Sequence, residues 1–205
     1  MIKTKLILLT ASLFLFSGMI TSTFAQSPVS FGLKGGVNLA NLNGDNFSDA
    51  DVRSGLNIGV VLEFSLPLSP IGIESGLYYS QKGASNEDLG VTSTLKTDYL
   101  EVPVLAKLSF GPPGPIKPHL LAGPYLGFLL NSEAVEESGG ASSTIDFKDS
   151  TNDVDFGLTG GIGLDVNMGL ATLSLQARYS LGLTEVYTNS EAKHGVFAIV
   201  AGFTF

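Results

Sequence analysis

The chain has 205 residues, of which 15% are charged and 44% hydrophobic, with 25 glycines, no cysteine and a formal net charge of −8 at pH 7. That length suits one domain, since chains split only beyond roughly 250 to 300 residues; the wealth of apolar residues excludes a disordered chain, and the acidity excludes a nucleic-acid binder, which needs a basic surface. The missing cysteine excludes disulfides, thiol chemistry, thiolate metal sites and a lipid-modified cysteine at a processed N-terminus.

The first predicted element is the stretch "MIKTKLILLTASLFLFSGMITSTFAQ". Lys3 and Lys5 precede an apolar run from Leu6 to about Met19, and Thr23-Phe24-Ala25 forms a small-x-small site. It reads as a secretory signal over residues 1–25, cleaved after Ala25, with one domain over residues 26–205. A membrane anchor is the alternative, but it wants about 20 apolar residues and only about 14 are present. Loss of Lys3 and Lys5 takes the charge from −8 to −10.

Beyond this stretch no apolar run is long enough for a membrane helix, and period two dominates. In "DVDFGLTGGIGLDVNM" Val154, Phe156, Leu158, Ile162, Leu164, Val166 and Met168 share one face, and Asp153, Asp155, Gly157, Thr159, Gly161, Gly163, Asp165 and Asn167 the other. A strand points successive side chains to opposite faces, so this is a two-faced strand. "ATLSLQARYSL" and "GLNIGVVLEFSL" split in the same way. Eight strands are predicted, at about 29–40, 54–66, 71–82, 97–110, 117–131, 153–168, 171–183 and 194–205. Pro103 and Pro124 fall inside two of them and predict a bulge at each, and both faces of "KPHLLAGPYLGFLL" look apolar.

The connections alternate in length, from long loops to tight turns such as "PLSP" and "GPPGP". Long loops therefore gather at one end and short turns at the other, the asymmetry of an all-β, eight-stranded antiparallel up-and-down transmembrane β-barrel with short periplasmic turns and long external loops. A soluble lipocalin-like barrel, its apolar face turned inward around an apolar ligand, is the rival. Strand length favours lipid outside: the strands run about 11 to 15 residues, against 5 to 6 in soluble sheets and about 9 to 11 for a tilted membrane strand. The polar face, rich in Gly, Ser, Thr and Asn, suits a crowded interior. Threaded up and down, Phe31, Phe64, Phe110, Phe203 and Phe205 fall near the short-turn end, and Tyr79, Phe128, Phe156, Tyr179 and Phe197 near the long-loop end, as two girdles.

Inward charges on this threading are Lys34, Glu63, Glu74, Glu101, Lys107, Asp165 and Arg178. Glu63 and Glu74 lie on neighbouring strands with Lys107 at similar height, and Arg178 and Lys34 are placed to meet Glu101 higher up. A barrel of eight strands is filled by its side chains, so these groups predict a plugged interior and not a porin; a gate or proton path is the alternative. Catalytic signals are thin. His119 and His194 are the two histidines, and a rim hydrolase built from Ser190, Glu191 and His194 rests on adjacency alone. "GLTGGIG" lacks the helix and lysine of a phosphate loop, and Asp45, Asp49 and Asp51 lack the spacing of an EF-hand calcium site. The expectation is no catalytic, cofactor-binding or metal residue, no cofactor and no nucleic-acid partner.

The stretches "FGLKGGVNLANL", "YLEVPVLAKLSF", "KPHLLAGPYLGFLL", "DFGLTGGIGLDV" and "GFTF" resemble the PorT-like outer-membrane β-barrel family of the Bacteroidota. That resemblance implies an eight-stranded barrel in the outer membrane, in contact with its lipid and inserted by the barrel-assembly machinery, which reads a last strand ending in Phe. It implies no active site. The family's founding member is associated with protein secretion and gliding machinery, a role that no motif here singles out; an extracellular or secretion-system protein partner stays unidentified.

Overall fold

The fold is that of a computed structural model, which describes residues 28–43, 52–88, 91–112, 114–138, 141–186 and 192–205. Strands β1 (Val29–Asn43), β2 (Arg53–Ser65), β3 (Ile71–Asp88), β4 (Val91–Ser109), β5 (Ile116–Ser138), β6 (Ala141–Asp146), β7 (Val154–Asn167), β8 (Thr172–Gly182) and β9 (Lys193–Thr204) follow one another, with a short 3-10 turn at Lys148–Ser150. All pairings are antiparallel: β1 pairs with both β2 and β9, and β4 pairs with β5. Eight long strands therefore close into a ring, and β6 is a ninth, short strand outside it, paired to the upper half of β5. Closure removes the unpaired edges of an open sheet.

The predicted signal segment lies outside the described residues. So do Asp45, Asp49, Asp51, Ser190 and Glu191. Short connections at 66–70, 110–115 and 168–171 share an end with Pro28 and Phe205: the Pro28 carbonyl accepts from Ser65 N at 2.7 Å, and Phe205 N donates to Phe31 O at 2.8 Å. In the tightest turn Gly169 has φ 91°, in the left-handed region, where a side chain would be strained. Two long connections differ from expectation. Residues 83–96 form mostly strand, because β3 and β4 continue as a hairpin to Asp88 and Val91, and part of 132–152 folds as the β5–β6 hairpin.

The prolines do not mark bulges. Pro103 is opposite Tyr125 and Ala106 opposite Ala122, so the β4–β5 register is unshifted across the gap between them. A proline deletes one N–H rung from a ladder without adding a residue, and each neighbour loses a rung in place. The one register shift in this ladder lies at Asp98/Tyr99, opposite Asn131 and Leu129, which leaves Leu130 as the extra residue on β5. Below it Leu121, Tyr125 and Leu129 point inward and Leu120, Phe128 and Leu130 outward; above it Ser132 is inward. The two apolar faces of β5 are thus a lipid face and a buried one.

The molecule is inside-out relative to a soluble domain. Leu33, Leu62, Leu158, Ile162 and Ile199 are exposed, whereas Lys34, Glu74, Lys82 and Gln176 are 1 to 2% exposed. All ten girdle aromatics but one are exposed, with Tyr179 directly opposite Phe197. Tyr79 is half-buried, its hydroxyl donating to Asp98 Oδ2 at 2.8 Å. Inward glycines make room for inward tyrosines: a Cβ built on Gly59 would lie 2.7 Å from the Tyr78 ring. Gly59→Val is expected to cost about 1 to 3 kcal/mol through overpacking, read from the denaturant midpoint in lipid vesicles.

Candidate functional site

The described chemistry is concentrated in the lumen, where alternation sends charged or polar residues inward from every strand of the ring. Glu63 on β2 is directly opposite Glu74 on β3, a like-charge pair that is destabilising by itself. Lys34 Nζ from β1 lies between them, 2.9 Å from Glu63 and 2.8 Å from Glu74. Arg178 on β8 pairs with Glu74, and Gln176 Nε2 donates to Glu74 Oε2 at 3.0 Å. On the other side Lys107 bridges Glu63 at 2.8 Å and Asp165 at 2.7 Å. His119 closes the circuit, 3.2 Å from Gln176 and 3.5 Å from Asp165.

This lower network sets Lys34, Lys107 and Arg178 against Glu63, Glu74 and Asp165, so its formal charge balances with His119 neutral. A buried charge is tolerable only when paired and hydrogen-bonded, and each of these has a partner within salt-bridge distance. Toward the short-turn end the network forms the floor of a vestibule of about 500 Å³.

A second cluster sits nearer the long-loop end. Lys82 pairs with Glu101 and, at 2.9 Å, with Asp155, while Tyr125 Oη donates to Asp155 at 3.1 Å. The Lys82 ammonium also lies 4.4 Å from the Tyr125 ring centre, within cation–π range. Thr184 Oγ1 caps the other Asp155 oxygen at 3.1 Å. Between the clusters remains a cavity of about 30 Å³ bordered by Asn57, Tyr78, Glu101 and Arg178. A water needs about 10 to 15 Å³ of such space, so there is room for roughly two.

All seven residues expected inward are inward. Lys34 and Arg178, however, meet Glu74 and not Glu101, whose partner is Lys82. Lys82 and Asp155 were legible only through alternation, since each keeps the parity of its strand's polar face; nothing in sequence spacing links them. His194 is fully buried, its ring edge-on to Tyr99 at 5.6 Å and 82°, and neither ring nitrogen has a hydrogen-bond partner among the described residues. The His194 imidazole is therefore packed inside the barrel and not presented at the rim. The lumen-lining side chains among the described residues are charged or polar at both clusters, unlike the apolar lining of a lipocalin-type ligand cavity. Among the described residues no group of three His, Asp or Glu side chains is placed to hold a metal ion.

Comparison with family models matches residues 24–188 to the outer membrane protein beta-barrel domain. A comparison with curated proteins found no match. Among solved structures, Neisserial surface protein A (NspA) is similar at 15% identity and a TM-score of 0.49, over 85% of this chain and 97% of that one. Ail, the attachment invasion locus protein of Yersinia pestis, is similar at 17% identity and a TM-score of 0.44, over 88% and 100%. The N-terminal β-barrel domain of Pseudomonas aeruginosa OprF follows at 13% identity and 0.43, over 87% and 98%.

Proposed function

The chain belongs to the outer membrane protein β-barrel domain family, and from that premise we propose that it is a closed, non-enzymatic barrel whose rigid wall presents its long-loop end at the cell surface for a structural or binding role. The observation that carries this is the lumen: a charge-balanced network spans it, and the cavity bordered by Asn57, Tyr78, Glu101 and Arg178 on its long-loop side holds about 30 Å³. A hydrated ion needs a continuous aqueous path, and the ion pairs that cross the lumen support the reading of a barrel without one. Recognition then falls to segments carried on the scaffold, where rigid folds usually place it.

The same reading includes cleavage after Ala25, so that the mature chain begins at Gln26, insertion by the barrel-assembly machinery, and membership of the PorT-like subgroup. Support for these comes from the tripartite leader and from the strand signatures, "GFTF" among them. No secretion or gliding role is assigned.

Planar-bilayer recording tests the closed lumen. Purified protein is expected to give no steady single-channel current, and a large, sustained conductance overturns the proposal. N-terminal sequencing of the outer-membrane fraction is expected to start at Gln26.

A further inference from the structure

Beyond the ring, the upper parts of β3, β4 and β5 continue as a sheet to which β6 adds a fourth strand. Its outer side carries no paired strand among the described residues. Which groups face that side follows from the register. Phe147 N donates to Ser132 O at 3.0 Å, so Ala141, Ser143 and Ile145, in phase with Phe147, hydrogen-bond toward β5. Ser142 and Thr144, out of phase, aim their N–H and C=O groups away from the sheet. Proteins usually protect such an edge with lysine, proline or a bulge. The strand "ASSTID" holds no lysine or proline, its register with β5 is unbroken, and its residues 142–146 are exposed.

Charge selects the occupant. Glu133 on β5 is directly opposite Asp146 on β6, and Glu136 and Glu137 lie further up β5. Lys96 is opposite Glu133 from the β4 side, and Lys148 donates to Leu130 O, so neither lies on the open side of Asp146. Like charges directly opposite one another in a sheet are destabilising, and a cation on an added strand beside Asp146 relieves this.

We propose that the outer edge of β6 docks an extended segment of a partner polypeptide, which joins the sheet as a further strand and carries basic side chains at alternate positions. This rests on the surface-binding reading above and names its partner class. Backbone hydrogen bonds to Ser142 and Thr144 supply the affinity, and the exposed carboxylate of Asp146, which borders the added strand and lies on the far side of Glu133 from Lys96, supplies the selectivity. A second copy of this chain fits poorly, because β6 against β6 brings further acidic residues to the same edge.

The test uses the full chain in lipid nanodiscs and a fluorescent seven-residue peptide alternating Lys with Val and Thr, read by anisotropy at physiological salt. Thr144→Pro removes only an outward N–H, the place where an edge strand tolerates proline, and retained heat-modifiable gel mobility confirms that the variant is folded. Expected are saturable binding to the native chain and at least tenfold weaker binding to Thr144→Pro. The same loss is expected when alternate peptide amides are N-methylated, and none of the binding should survive replacement of Lys by Glu. Three outcomes overturn the proposal: no binding, binding indifferent to Thr144→Pro and to N-methylation, or self-association of the chain that Thr144→Pro abolishes. A failed peptide experiment with a silent bilayer leaves the closed-barrel reading standing, whereas a conducting bilayer defeats that reading alone.

Discussion

Glu74→Gln is expected to destabilise the barrel by about 3 to 5 kcal/mol, the range for breaking a buried ion pair from one side. Glu74 is 1% exposed and receives Lys34 at 2.8 Å, Arg178, and Gln176 at 3.0 Å. Glutamine keeps the volume and one acceptor oxygen but removes the charge. Arg178 then has no carboxylate within salt-bridge distance, and Lys34 keeps only Glu63. Denaturant titration of the refolded protein in phospholipid vesicles gives the cost. A second measurement separates an ion-pair effect from simple damage to packing: Glu74→Gln combined with Arg178→Met removes the stranded cation with its partner. The double variant should be more stable than Glu74→Gln alone, a coupling seen only for residues that interact. A single-variant loss under about 1 kcal/mol would mean that water reaches the network.

That network shows where sequence stops being informative. Alternation assigns Lys34, Glu63 and Glu74 to one face because a strand has only two, and each of the seven charges assigned inward in this way is inward. Height inside a barrel is another matter, since it depends on stagger between strands and on how far a long side chain leans. Lys34 reaches past β2 to Glu74 on β3, and Arg178 reaches the same carboxylate from β8, 104 residues away in sequence. Neither contact has a spacing to read.

The β5–β6 hairpin was hidden for a different reason. Period two appears when one face is buried and the other is not, whereas residues 142–146 are exposed on both faces, and "SEAVEESGGASSTID" therefore reads as a polar loop. Pro103 and Pro124 misled in the other direction. A missing N–H in a strand predicts an extra residue, yet the ladder skips a rung and resumes in register.

The outward face supports a prediction that discriminates lipid from water by depth. Ile162 lies on β7 between the two girdles, opposite Leu120 and Ala177, and is 63% exposed. Met168, also exposed, lies past the end of β7 in the short turn. In hydrocarbon an arginine at the midplane costs about 2 to 4 kcal/mol and one near the interface about 0 to 1. Ile162→Arg is therefore expected to lower stability in vesicles by about 2 to 4 kcal/mol, and Met168→Arg by less than about 1. An aqueous surface makes no such distinction, because at either position the guanidinium would stay hydrated. Both variants keep the inner face intact, so the lumen network does not contribute to the difference. Equal and small costs at the two positions would place water, not lipid, around β7, and the girdles of Phe31, Phe203, Phe156 and Phe197 would then need another explanation.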